Sequence, residues 1–178
     1  MEKMEMFNKG DKYYKEMKFP SICVYHGSNT IIEKPQILTN SYTKDFGYGF
    51  YLTKISKQAE SWAKRKSRFN GIGVVSVYDL ELRAFDNLIC KKFQKMDKDW
   101  LDFIANCRAN KKYIHGYDII EGPMADDTVY NYVNDYLSGA ISESVFLDIC
   151  KFKNETHQIA LTSDKALEFL KYRRSYYV

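Results

Sequence analysis

Residues 46–53 are Phe46-Gly47-Tyr48-Gly49-Phe50-Tyr51-Leu52-Thr53, so two glycines flank one bulky residue directly before a predicted strand that carries a tyrosine. Glycine has no Cβ, so the backbone can turn sharply there or lie close against a flat ligand. A second predicted strand, at residues 22–25, ends in His26-Gly27-Ser28, again a polar side chain followed by a glycine. We therefore expect the two strand ends to form one half of a ligand pocket.

Size and composition limit the remaining possibilities. The 178 residues suffice for one ordinary domain, and we expect an N-terminal arm at residues 1–19 followed by a domain at residues 20–178. The net charge of +4 is too small to argue for a nucleic-acid partner by itself. No apolar run approaches the ~20 residues that span a bilayer, and the amino end is charged throughout. Neither export nor membrane insertion is predicted, and the expected location is the cytoplasm.

The four cysteines form no CxxC pair. They lie far apart in the sequence at Cys23, Cys90, Cys107 and Cys150. This spacing does not support a zinc site, and no metal is expected. In the cytosol such residues are most simply reduced and packed in the core.

The periodicity of apolar residues predicts five strands and five helices. Predicted strands lie at 22–25, 50–53, 74–80, 117–120 and 158–162, with 74–80 central. Predicted helices follow caps at Ser56, Asp99 and Ser163 or Asp164, with two more at 129–137 and 145–150. Phe69 is expected on the apolar side of the first helix, and residues 121–123 are expected to form a turn. Because strands and helices do not alternate, we predict an α+β class, with a split, mostly antiparallel sheet and peripheral helices in a single domain.

The two glycine motifs resemble the first signature blocks of the ADP-ribosyltransferase superfamily. The match covers residues 25–28, 46–53 and 56–59, with a third block near 155–170, and is to the His-Tyr-Glu branch that includes diphtheria toxin and poly-ADP-ribose polymerases. Within that branch the chain resembles small bacterial domains, some of which are expected to be toxins paired with an antitoxin.

The resemblance implies NAD as the substrate and assigns roles to named residues. His26 would hydrogen-bond the adenosine ribose, Gly27 would grip the nicotinamide amide through its backbone, and Tyr51 would stack on the nicotinamide ring. The implied NAD-contacting set is completed by Ser28, Gly47, Gly49, Phe50, Ser56 and Trp62. Trp62 stands where related enzymes have a stacking tyrosine, although its helical spacing also suits a core residue. Single transfer or NAD hydrolysis is therefore favoured over polymer synthesis.

The third motif residue departs from the family pattern. Where the superfamily places a catalytic glutamate at a strand start, this chain has Gln158, so the implied catalytic set is His26, Tyr51 and Gln158. An amide can hydrogen-bond the ribose but cannot stabilise a cation as a carboxylate does.

Three alternatives for the missing carboxylate remain open at this point. Glu155 could supply it in a different register, or Glu121, Asp126 or Asp127 could supply it from the segment after the fourth strand. The site could also transfer slowly, or only bind. Asp126 and Asp127 equally suit a helix N-terminus, where acidic residues are common because of the helix dipole.

The leading hypothesis is an NAD-dependent mono-ADP-ribosyltransferase that modifies a protein or nucleic acid, acting as a bacterial intracellular toxin with a possible antitoxin partner. The alternatives are an NAD glycohydrolase and a degenerate module that only binds NAD or a nucleotide. A third class is a nucleic-acid-binding protein that uses the basic residues 64–68 and the tyrosine-rich C-terminal segment. Changing Gln158 to Glu is expected to raise turnover in a degenerate site and to bring little gain in a tuned one.

Overall fold

The computed structural model describes residues 19–39, 44–69, 71–110, 113–125, 127–151 and 156–178, excluding the side chain of Asp127. Seven strands in this part of the chain form two sheets. The N-terminal arm predicted for residues 1–19 lies almost wholly outside it.

The first sheet has three antiparallel strands: β1 (Ser21–Ser28), β3 (Val74–Glu81) and β7 (Leu170–Tyr177). Their order is β1-β3-β7, and all eight residues of β3 are buried. The prediction that this β-branched strand is central is therefore confirmed. A β-bulge interrupts the β3–β7 ladder between Val77 and Tyr78.

The second sheet has four short strands: β2 (Phe50–Leu52), β4 (Cys90–Lys92), β5 (Ile119–Gly122) and β6 (Gln158–Leu161). Their order is β2-β6-β5-β4, and β4 runs parallel to β5 while the other two pairs are antiparallel. The two sheets meet at a single antiparallel bridge between Tyr25 and Thr53. This arrangement confirms the predicted α+β class.

Six helices lie in the described residues. They are α1 (Ser56–Lys66), α2 (Ala84–Asn87), α3 (Lys98–Ala109), α4 (Asp127–Leu137), α5 (Glu143–Cys150) and α6 (Asp164–Leu167). In these residues no helix combines the length and apolar character required to cross a membrane.

Three apolar clusters hold the layers together. One joins α1 to the first sheet through Ala59, Ala63, Val75 and Val77. A second fills the space between the two sheets, and the third packs α3, α4 and α5 against the other face of the second sheet, around Trp100 and Phe146. The layer order is therefore helix, sheet, sheet, helices, and the meeting point of the sheets lies beside α1.

Several local predictions are wrong for physical reasons. Ile55 occupies the N-cap position of α1 and Ser56 is its first helical residue, while α3 is capped by Asp97 rather than Asp99, because the Asp97 side chain accepts from the Trp100 amide. The helix α1 ends at Lys66, so Phe69 is 90% exposed instead of packed. Glu121 and Gly122 extend β5 and do not form a turn.

The cysteines differ from one another in burial. Cys107 is buried, Cys23 and Cys150 are half-buried, and Cys90 is exposed. The prediction of core packing is therefore wrong for Cys90, which lies at the start of the edge strand β4.

Candidate functional site

The two glycine motifs meet where β1 and β2 separate. Tyr25 and Thr53 exchange both backbone hydrogen bonds, with N···O distances of 2.9 and 3.0 Å. Beyond this pair the strands diverge, and the His26 side chain takes the place of a ladder bond by donating from Nδ1 to the Tyr51 carbonyl over 2.7 Å. We call residues 25–28 and 50–53 the fork. It leaves an open edge of backbone between the two sheets.

Gly27 lets α1 pack closely on β1, and its backbone N–H and C=O point into the gap between the two strands of the fork. A Cβ on Gly27 would lie 2.0 Å from the Ala59 carbonyl oxygen and 2.8 Å from the Ala63 nitrogen, so only glycine lets α1 pack this close to β1. The N–H and C=O of Tyr25 both point to Thr53. Gly27 is two residues further along the strand, so its N–H and C=O point in the same direction, away from β3. That edge can pair with a carboxamide of a ligand.

His26 is held as a neutral ring. Its ring stacks on Phe50 with a centroid distance of 4.5 Å. Burial, together with the charges of Lys44 and Lys66, lowers the pKa of His26 to about 4, although the bond to Tyr51 opposes this shift. Because a carbonyl can only accept, Nδ1 carries the proton and Nε2 remains an acceptor, which suits a ligand hydroxyl.

Tyr51 anchors the glycine turn through its hydroxyl group. The hydroxyl accepts from the Phe46 amide at 3.0 Å and donates to the Gly47 carbonyl at 2.8 Å. Gly47 has a φ of +78°, which explains the glycine at this position. Burial and the nearby Asp45 carboxylate hold the pKa of Tyr51 well above its usual value, so the phenol is neutral. The ammonium of Lys44 lies 4.6 Å from the ring centroid.

Gln158 is fixed by a carboxylate that the sequence analysis missed. The Gln158 side chain is buried, and its Nε2 donates to Asp45 Oδ2 at 2.9 Å and to the Pro123 carbonyl at 3.0 Å. Asp45 also accepts from the Ala125 amide at 2.8 Å and forms an ion pair with Arg108. Both Nε2 protons are therefore used, while Oε1 accepts no hydrogen bond from the described residues.

Glu121 lies on the opposite face of the second sheet from Gln158. Gln158 pairs with Gly122 and Ile159 with Glu121, so strand alternation places Glu121 on the opposite face of the sheet from Gln158. There its Oε1 contacts Lys54 at 2.7 Å, His157 at 3.1 Å and Lys92 at 3.4 Å. Burial alone would raise the pKa of Glu121, but these partners lower it to about 2. Glu155, Asp126 and the Asp127 side chain lie outside the described part of the chain.

The remaining predicted contact residues fall into two groups. Phe50 lies at the fork, and Gly49 stands where a Cβ would approach the Leu161 carbonyl oxygen to 2.9 Å. For the other group the structure shows different contacts: the Ser28 hydroxyl donates to Thr30 within a local turn, Ser56 starts α1, and Trp62 Nε1 donates to Met124 Sδ at 3.3 Å. The Trp62 indole also lies under the Arg65 guanidinium.

Lys44 and Asp45 are the residues that the sequence analysis overlooked. They stand directly before the glycine motif. This position was the available signal, because charged residues next to a buried turn need partners. Lys44 lies over the nearby Tyr51 ring, whereas the partners of Asp45, Gln158 and Arg108, are distant in sequence.

The fold and the fork define a small α+β domain in which two sheets diverge from one strand pair. A family model described as "Protein of unknown function (DUF3990)" matches residues 22–172, and the chain belongs to this family. No curated protein and no solved structure matches the chain.

Proposed function

We propose that the chain is an NAD-dependent mono-ADP-ribosyltransferase that binds NAD at the fork. The observation that carries the proposal is the separation of β1 from β2 immediately after Tyr25 and Thr53, with a neutral His26 holding the strands and the Gly27 peptide open to a ligand. A nicotinamide carboxamide presents an N–H donor beside a C=O acceptor, which matches the C=O and N–H of a strand edge.

The binding roles follow from the chemistry of these side chains. His26 Nε2 accepts from a ribose hydroxyl, and the Tyr51 ring forms a wall for the nicotinamide. Gln158 Oε1 accepts from the hydroxyl of the ribose that is to be cleaved, since its Nε2 is bound to Asp45 and Pro123. These proposed roles use no metal ion.

The reaction breaks the bond between ribose C1′ and the nicotinamide nitrogen. Nicotinamide leaves as a neutral molecule with the electron pair of that bond, and C1′ passes through a cation-like state. A nucleophilic oxygen or nitrogen of the acceptor forms the new bond to C1′ and releases its proton to solvent; with water as acceptor, the same step is hydrolysis. The amide dipole of Gln158 stabilises the cation-like state less than a carboxylate would, so slow turnover is expected.

Nicotinamide release from NAD, measured with and without a cell lysate as acceptor, tests this proposal. We expect release by the wild-type chain and at least a hundredfold loss in His26→Ala. His115→Ala is the matched control, because His115 is another partly buried imidazole that bonds a backbone carbonyl, that of Phe46 at 3.2 Å. Absence of release by the wild type under every condition, or equal loss in both variants, contradicts the proposal.

A second candidate is a module that binds NAD without cleaving it. It is favoured by the pairing of Asp45 with Arg108, which neutralises the carboxylate nearest to Gln158. Calorimetric binding of NAD without nicotinamide release, lost in His26→Ala, would select this candidate over the transferase.

The cellular setting extends the proposal. We propose a bacterial toxin that acts in the cytoplasm and is restrained by an antitoxin. Induced expression is expected to arrest growth, and the arrest should be absent with His26→Ala at equal protein level.

A further inference from the structure

A groove of about 630 Å³ lies along the outer side of α1. It is bounded by this helix and by residues that follow β5. The described lining residues are Gln58, Ser61, Trp62, Lys64, Arg65, Arg68, Met124 and Thr128. We call this set the basic groove, and the fork does not use it.

The charged side chains among the described lining residues of the basic groove are all cationic. Lys64, Arg65 and Arg68 line it, and none of the described lining side chains is acidic. Glu60, the acid on the same helix, points away and accepts from the Tyr176 hydroxyl at 3.1 Å. Three cations in one concave surface attract a ligand with several phosphates.

The groove also offers a flat surface. The Arg65 guanidinium lies over the Trp62 indole, 5.2 Å from the ring centroid, while Trp62 Nε1 donates to Met124 Sδ. Planar guanidinium and aromatic groups are surfaces on which unpaired bases stack. Bases in a duplex are already stacked on each other, so this surface suits a single strand.

The basic groove is connected to Gln158 through Gln58 and His157. Gln58 lines the groove, and its side-chain amide makes two hydrogen bonds with the backbone of His157, Nε2 to the carbonyl at 2.7 Å and Oε1 from the amide at 3.2 Å. His157 directly precedes Gln158. The Gln58 end of the groove is therefore joined by two hydrogen bonds to the chain segment that carries Gln158.

We infer that the basic groove binds single-stranded nucleic acid, and that this strand is the acceptor of the ADP-ribosyl group. The second half of this inference rests on the proposed function; the first half does not. A base or phosphate group at the Gln58 end of the groove supplies the nucleophile that bonds to C1′ as nicotinamide leaves.

Fluorescence anisotropy with labelled oligonucleotides of about 12 nucleotides, oligo-dT and oligo-U, tests the binding. If three phosphates are neutralised, log K should fall with log salt concentration with a slope of about −2. The triple variant Lys64→Glu, Arg65→Glu, Arg68→Glu should weaken binding at least a hundredfold, and Trp62→Leu roughly five- to tenfold.

The matched control changes the same charge elsewhere. Lys34, Lys95 and Lys165 are exposed and do not line the groove, so their triple change to Glu should weaken binding far less, by less than tenfold. Equal loss in both triple variants shows only the effect of net charge and contradicts the inference that the basic groove binds the oligonucleotide. Equal binding of a poly-glutamate peptide also overturns it, because an acidic protein would then be the better occupant.

Transfer from labelled NAD to the oligonucleotide separates the two proposals. Labelled oligonucleotide supports both. Oligonucleotide binding without any NAD binding overturns the proposed function and leaves the groove as a nucleic-acid site. Nicotinamide release without oligonucleotide binding contradicts nucleic-acid binding by the basic groove and leaves the proposed transferase function standing.

Discussion

Gln158 Nε2 lies 2.9 Å from Asp45 Oδ2, although the two residues are 113 positions apart in the sequence. The amide donates its second proton to the Pro123 carbonyl, so both acceptors favour an amide over an acid at position 158. Gln158 is thus part of a buried polar network that includes the ion pair between Asp45 and Arg108. The Gln158 amide is therefore matched to its surroundings.

A glutamate at position 158 is therefore expected to bring no simple gain of function. In Gln158→Glu two carboxylates would face each other at about the present distance, and both donor bonds would be lost. We expect the free energy of unfolding to fall by about 3 kcal/mol, without increased nicotinamide release. Urea unfolding and a nicotinamide assay measure the two effects.

The double variant Asp45→Asn, Gln158→Glu is the control for this prediction. It lets an amide at position 45 donate to a carboxylate at position 158, but the ion pair with Arg108 and the bond to Pro123 are lost, so only a part of the lost stability should return. A stable single variant with raised turnover would show that the Asp45 contact does not constrain position 158.

The neutral state of His26 predicts a dependence of stability on pH. Its pKa is about 4 in the folded chain and about 6.5 when unfolded, so between these values the unfolded chain binds more protons. Stability should therefore fall as the pH is lowered from 7 to 4.5, by about 2 kcal/mol for this group. Urea unfolding at both pH values should show the loss in the wild type, and a smaller one in His26→Gln. An equal loss in both would assign the effect to other groups.

Glu121 predicts a second transition at lower pH. The pKa of Glu121 is lowered to about 2, so its contribution to the free energy of unfolding is present above about pH 4.5 and is lost as the pH falls toward 2. Because Lys54 and Lys92 are more than a third exposed, we expect only about 1 kcal/mol. Lys54→Met should move the midpoint of acid unfolding to higher pH. Lys57→Met, which changes an exposed lysine of α1, should leave it in place, and identical midpoints for all three proteins would refute the assignment.

Gly27→Ala tests how closely α1 packs on β1. The added Cβ meets two backbone atoms of the helix, so the helix must move, and we expect a loss of about 3 kcal/mol or more. At Gly71, where φ is +89° and a Cβ meets no atom within 4 Å, alanine should cost only about 1 kcal/mol of backbone strain. Thermal unfolding of the two variants compares the effects directly. Similar losses would mean that the helix adjusts freely.

The elements that could be predicted from the sequence are those whose own residues carry the pattern. The strand β3 is β-branched along its length, and the spacing of apolar residues in α4 and α5 is helical, so their own residues were sufficient. The strand β7 was not recognised because Lys171, Arg173 and Arg174 resemble a charged tail, whereas pairing with β3 makes the segment an edge strand. The three-residue strand β4 likewise depends on its parallel partner β5.

The candidate site shows the same limit. The fork follows from two motifs whose order could be read, and the structure brings His26 and Tyr51 within hydrogen-bond distance. The role of Asp45 could not be found in this way, because its meaning lies in three contacts made by residues that are 63 to 113 positions away.

The packing of Gly27 against α1 has a practical consequence for anyone who needs an inactive but intact protein. The glycine that would hold the ligand amide is also the point where the helix rests, so replacing it removes the architecture together with the binding. His26 is the better choice for a silent version, since its removal leaves the strand pairing between Tyr25 and Thr53 in place. Under the proposed function, such a chain would serve as bait for an acceptor or an antitoxin.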